Sequence, residues 1–186
     1  MVWHKIRTGR YSAVSQGDII RNVDYIEYAE MSGGTVEIST IRFPYVVVLS
    51  QSCDLDWDHK RRRGRPRAAD NKFILSVLVA PAYNAENFFT GQHLEDLGLD
   101  MGRQNSNKKQ TIKGNQNERY HHMEFDEEMV GAPPELIVDF KHFFSVNAER
   151  LTLQKRDAYV CRIDRLYREG LTQRFAAYLA RIGLPG

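Results

Sequence analysis

Cysteine is scarce in this chain: Cys53 and Cys161 are the two in 186 residues. A disulfide framework would need more, so a reducing compartment is expected and the protein is read as cytoplasmic. Long apolar runs are missing as well. The cleanest one stretches only from Phe43 to Leu49, against the about 20 residues a membrane-spanning helix requires. Met1 to Lys5 lacks the apolar core of a secretory signal. Net charge is small, with 26 basic against 24 acidic residues. Affinity for nucleic acid must therefore come from local clustering and not from the whole-molecule field. Absent too are the phosphate loop ending in Lys-Ser/Thr, G-x-G-x-x-G, H-E-x-x-H, G-x-S-x-G and C-x-x-C. P-loop nucleotide hydrolysis and dinucleotide redox chemistry thus lose support.

What is present fits a folded domain: 42% hydrophobic and 27% charged residues are ordinary values for a globular chain. Residues 1–13 are polar and expected to be loosely held. Gln16-Gly17-Asp18 reads as a turn before a short strand, Ile19 to Val23. Gly33-Gly34 predicts a hairpin turn into Val36 to Ile41, which alternates apolar and polar. Pro44 is expected to open a strand buried on both faces, Tyr45 to Leu49, and Pro81 to end another, Phe73 to Ala80. Asn84 predicts a helix cap, with Phe88, Leu94 and Leu97 facing inward through Leu97. Gly102 to Glu118 reads as a long surface loop. Tyr120–Phe125 and Glu135–Phe144 read as strands, and Ala148–Leu151 closes the β-rich part. From Ile163 to Ile182 the apolar spacing is helical, with Gly170 dividing two helices. The expectation is an α+β protein: a small barrel domain over 14–153 and a C-terminal helical extension over 154–186.

Reactive groups are densest from Ser50 to His59. Continued as a strand, this segment would put Asp54, Asp56 and Asp58 on one face and Cys53 on the other. The aspartate spacing is not that of an EF-hand, since His59 and Arg65 take the positions of its Gly and Glu. Cys53 with His121 and His122 has the chemistry of a zinc site. It also suits a thiol nucleophile with a histidine base. The plain alternative is a small buried residue at a strand end.

The most basic stretch comprises Lys60, Arg61, Arg62, Arg63, Arg65 and Arg67, interrupted by Gly64 and Pro66. Its Arg-Gly-Arg-Pro core suits a narrow minor groove. Backbone phosphates of RNA or DNA ask only for a mobile cationic loop, and a merely solvated loop is the competing explanation. A second basic stretch carries Lys108 and Lys109 and runs into His121-His122. Histidines beside such a loop fit acid–base work on a phosphodiester, although neighbours on a strand face opposite ways.

Taken in order, these segments resemble the MazF/PemK-like family of SH3-like barrels. Gly17-Asp18-Ile19 is similar to its opening turn and strand. Arg42-Phe43-Pro44 with Tyr45 to Ser50 resembles the family's Arg-Pro lead into an apolar strand. Leu78 to Pro81, Leu136 to Asp139 and Glu149-Arg150-Leu151 are similar to later elements. The likeness covers about residues 16–151 and implies a metal-independent endoribonuclease of toxin–antitoxin or defence type, with no cofactor. It also implies RNA ahead of DNA as ligand, an antitoxin-like protein partner, and a homodimer. In the family the catalytic arginine directly precedes the proline, where this chain has Phe43, with Arg42 one residue earlier. The catalytic threonine's region holds Ala82 and Tyr83. On this pattern Arg42 would stabilise transition-state charge, with His121 or His122 transferring protons and the basic runs gripping phosphates. Cys53 and Asp54 are further catalytic candidates, and two alternatives remain open: a non-catalytic barrel that binds nucleic acid or protein, and a metal or thiol site at Cys53.

Overall fold

A computed structural model describes residues 4–9, 11–64, 71–126 and 128–181. The strands are β1 (Ile6–Arg7), β2 (Asp18–Ser32), β3 (Thr35–Val48), β4 (Ser76–Asn84), β5 (Tyr120–Met123), β6 (Leu136–Asp139), β7 (Phe144–Asn147) and β8 (Tyr159–Ile163). The helices are α1 (Ser52–Arg63), α2 (Ala85–Thr90), α3 (Ser106–Lys113), α4 (Ala148–Ala158) and α5 (Arg165–Leu179). The strands form one antiparallel sheet in the order β1-β8-β2-β3-β4-β6-β5, with β7 also pairing with β4. The protein is therefore α+β, as expected, but the sheet is not closed into a barrel. Its two ends, β1 and β5, approach each other at residues flanking them, where His4 N–H donates to Glu124 O at 2.7 Å.

Alternation along the strands buries both faces of the sheet. Val46, Val48, Val77, Val79, Tyr83 and Ile137 join one core, which α1, α2, α3 and α4 cover through Leu55, Phe88, Ile112 and Leu151. Val47, Ala80, Ala82, Leu136, Val138 and Cys161 face the other way, onto Leu171, Phe175 and Tyr178 of α5. Runs such as Tyr45–Leu49 need no polar positions because water reaches neither side. Each fully buried aliphatic side chain contributes about 1.5–3 kcal/mol to this arrangement.

The Gly33-Gly34 turn stands as expected, both residues having positive φ. It joins strands much longer than the sequence pattern indicates, since β2 and β3 pair from Ile19/Val47 out to Ser32/Thr35. Pro44 and Pro81 lie inside β3 and β4, not at their ends. The segment after Ser50 is helix α1, so Asp54, Asp56 and Asp58 do not share a strand face. Asp54 and Asp58 are one helical turn apart. Residues 60–63 of the basic run are helical, while Arg65 and Arg67 lie outside the described residues. Gly102–Glu118 is not all loop, because Asn105 caps α3 by accepting from Lys108 N–H. Asn84 caps α2 as anticipated, but α2 stops at Gly91 and a separate 3-10 turn covers Glu95–Leu97, leaving Leu97 at the surface. A 3-10 turn at Phe140–His142 splits the strand expected over 135–144. Residues Ile6–Arg7 are tied to β8, so the N-terminal stretch is not wholly loose. The C-terminal part is not a helical hairpin. Ala148 starts α4, Ile163 belongs to β8 within the sheet, and Gly170 sits inside the single helix α5. No described helix is long and apolar enough to cross a membrane.

Candidate functional site

Strands β3, β4, β6 and β5 stand side by side, with Tyr45 opposite Ala82, Ala82 opposite Val138, and Tyr120 opposite Asp139. This register gathers groups from distant parts of the chain at one end of the sheet. A cleft of about 510 Å³ opens there, lined by Arg42, Pro44, Tyr83, Asn84, His93 and Glu95 among others. Beside it, sharing Phe43, Tyr83 and Leu94, is an apolar hollow of about 280 Å³ that also takes in Tyr25, His142 and Phe143.

Behind both lies Asp139, at the end of β6. It is 1% exposed and accepts from Arg119 Nε at 2.8 Å and Nη2 at 2.6 Å. His142 Nδ1 is 3.3 Å from its Oδ2. Burial opposes ionisation of this carboxyl, but the hydrogen bonds from Arg119 and the nearby His142 outweigh it and hold the group down at about 2. His142 Nδ1 approaches this carboxylate without completing a hydrogen bond, so the ring stands beside a fixed negative charge, a setting that suits acid–base work.

Tyr83 is 1% exposed, and its hydroxyl has no hydrogen-bond partner. Burial, reinforced by the Asp139 charge, pushes the hydroxyl above the ordinary tyrosine range, so it remains a donor. His93 packs edge-on against Tyr83 at 4.9 Å and tilted against Phe88 at 4.6 Å. Its Nδ1 is also unpartnered, and burial lowers its affinity for a proton. The backbone brings His93 back over the cleft because Gly91 takes a left-handed φ of 90°. A Cβ at that position would sit 1.8 Å from the Met101 carbonyl oxygen.

Of the described residues expected from sequence, Arg42 alone lines this cleft. It stands at the exposed rim, where Asp24 on the neighbouring strand accepts from its Nε at 2.7 Å. Cys53 and Asp54 lie in the first turn of α1. Cys53 is exposed, contrary to the plain reading of it as buried, and its Sγ is 3.6 Å from Gln51 and Asp54 oxygens. His121 and His122 are on β5, facing opposite ways as alternation requires. His121 is buried in the α5-facing core against His4 and Phe140, with both ring nitrogens unpartnered. His122 is fixed structurally: its Nε2 is 2.6 Å from Glu135 Oε1, and its Nδ1 is 3.1 Å from the Lys113 carbonyl. Neither histidine contacts Cys53. No three His, Cys, Asp or Glu side chains converge as metal ligands among the described residues.

The basic residues separate into two places. Lys60, Arg61, Arg62 and Arg63 form the last turn of α1. Arg62 there is occupied by Asp58 at 2.7 Å, Glu149 at 2.5 Å and the Ile74 carbonyl at 2.8 Å. Lys108 and Lys109 are on α3, with Lys109 over the Phe89 ring at 5.0 Å. His93, Arg119, Asp139 and His142 escaped the sequence reading as site residues, and Tyr83 entered it only as an occupant of the threonine region. The one local signal was Asp139, a lone carboxylate ending the apolar run Leu136–Val138.

Compared with protein-family models and with curated proteins, this chain matches none.

Proposed function

We propose that this chain is a divergent MazF/PemK-like nucleic-acid-binding protein, with an SH3-like barrel ancestry, that cleaves RNA at the cleft around Tyr83 and His142. The observation that carries this is the meeting of two sequence-distant segments, one around Pro44 and one around Pro81. In the family likeness these are the segments that hold catalytic residues, and here both line one cleft. The near approach of β1 to β5 at His4 and Glu124 is consistent with a barrel opened along one seam.

In this proposal His142, beside the Asp139 charge, takes the proton of the 2′-hydroxyl. Tyr83 donates to the leaving oxygen, and Arg42 meets the charge that develops on phosphorus oxygens. His121 and His122 drop out of the mechanism because their rings are committed to packing and to Glu135. Aromatic walls at Phe43, Tyr25 and Phe143 offer stacking surface for an unstacked base. The cations of α1 and α3 supply a sequence-independent hold on phosphates.

The test is cleavage of a single-stranded RNA by the purified protein in excess EDTA. Activity that falls by roughly 10²–10⁴-fold in His142→Ala is the expected result. Wild-type protein without cleavage above a mock preparation overturns the catalytic part. A non-catalytic binding role is the second reading, favoured by the exposed Arg42 being held by Asp24 and by Ala82 standing in the threonine region. Salt-dependent RNA binding without turnover would select it.

A further inference from the structure

The hairpin of β2 and β3 leaves the body of the molecule as an arm. Among the described residues, β2 past Ile20 pairs only with β3, and β3 meets β4 only from Tyr45 onward. Both outer edges of the arm are free of other strands among those residues. Its root packs on the core through Val23, Tyr25 and Ile41, but farther out apolar side chains are uncovered: Ile26 is 59%, Met31 74% and Ile38 58% exposed. Between Asn22 and Ile41 the arm carries Asp24, Glu27, Glu30 and Glu37 and no Lys or Arg. Since the whole chain has 26 basic and 24 acidic residues, the body without the arm is distinctly cationic.

Part of that positive charge stands beside the root of the arm. The last turn of α1 and the adjacent face of α4 border a cleft of about 320 Å³. Val14, Leu55 and Val77 give it an apolar floor, and Arg63 and Arg156 stand at its rim. Gln154 of α4 donates to the Asn22 carbonyl at 2.5 Å, so the arm springs from next to this cleft. Asn22 has a φ of 55° there, a conformation that asparagine tolerates better than most residues.

We infer that the α1–α4 cleft receives the arm of a second copy of this chain, each copy giving its arm to the other. Apolar side chains with acidic neighbours meet an apolar floor with a cationic rim. Arm and cleft adjoin on every copy, so a reciprocal exchange closes with two-fold symmetry and produces a dimer, not an open chain. This rests on the arm and the cleft alone and does not require the cleft at Tyr83 to be catalytic.

Sedimentation of the full chain at low and high salt tests it. The expected mass at low salt is twice the 21.5 kDa of the chain, dissociating as salt is added. Charge reversal on the arm (Glu27→Lys with Glu30→Lys), or at the cleft (Arg63→Glu with Arg156→Glu), should weaken association by about a hundredfold or more. Mixing the two reversed proteins should restore a dimer, because both contacts are then complementary again. Circular dichroism checks that each variant is folded; if a reversed form is not, Glu27→Gln with Glu30→Gln reads the same contact with a smaller loss. A wild-type chain that stays monomeric at low salt overturns the proposal. So does a dimer indifferent to these reversals, or a folded reversed pair that fails to associate on mixing.

Discussion

Arg119 grips Asp139 through two hydrogen bonds, 2.8 and 2.6 Å long, at a point where the carboxylate is 1% exposed. A carboxylate so enclosed keeps its charge only while that cation is beside it. Arg119→Ala is expected to destabilise the protein by about 3–5 kcal/mol, because the charge left behind is buried and uncompensated. Asp139→Asn should cost less, since the amide keeps an acceptor. The pairing contribution is present above the ordinary carboxylate range and is lost as pH falls through about 2. Urea unfolding of both variants checks the ranking, and equal losses would refute it.

Tyr83→Phe separates chemistry from stability. The hydroxyl has no partner, so removing it should leave stability unchanged or raise it by up to about 1 kcal/mol. If the hydroxyl donates a proton or a hydrogen bond in RNA cleavage, the rate should drop by at least roughly tenfold. A destabilised Tyr83→Phe would mean that the hydroxyl has a partner in solution.

Acid should attack the seam between β1 and β5. Burial lowers His4 from 6.5 to about 4. Burial also pushes His121 well below the ordinary range, helped by the nearby His4 and Arg174. Both rings are neutral in the native state, whereas the unfolded chain protonates them near 6.5. Their contribution is therefore whole above the unfolded value and declines as pH falls below it, through about 4 in the case of His4. His121→Phe should flatten the fall of the urea midpoint between neutral pH and about pH 4. An unaltered slope would place the acid sensitivity elsewhere.

Gly91→Ala tests the turn that returns His93 to the cleft. The new methyl would meet the Met101 carbonyl oxygen at 1.8 Å, and the residue holds φ at 90°. A loss well above about 1 kcal/mol is expected, together with weaker packing of His93 on Tyr83. Thermal unfolding measures the first, and the environment of the His93 ring protons by NMR reports the second.

Local chemistry made part of this fold legible. Gly33-Gly34 signals a hairpin because glycine alone takes successive positive φ values without strain. Tyr45–Leu49 signals a two-face-buried strand, and Asn84 signals a helix start. Helix α1 was hidden because Ser52–Arg63 carries charge on every side and has no apolar stripe to give it a period. Strand β8 was hidden because Ile163 falls in phase with the apolar positions of α5. The site was hardest to see, since Arg42, Tyr83, His93, Arg119, Asp139 and His142 share no motif and lie on five separate stretches.

By itself, then, the order of residues determined the turns, the caps and the strands whose two faces are dry, since these depend on neighbours a few positions apart. Which carboxylate would be enclosed with an arginine, and which histidines would be spent on packing, depended on strand register. That is decided by the burial of both sheet faces together, and only the assembled tertiary structure contains it.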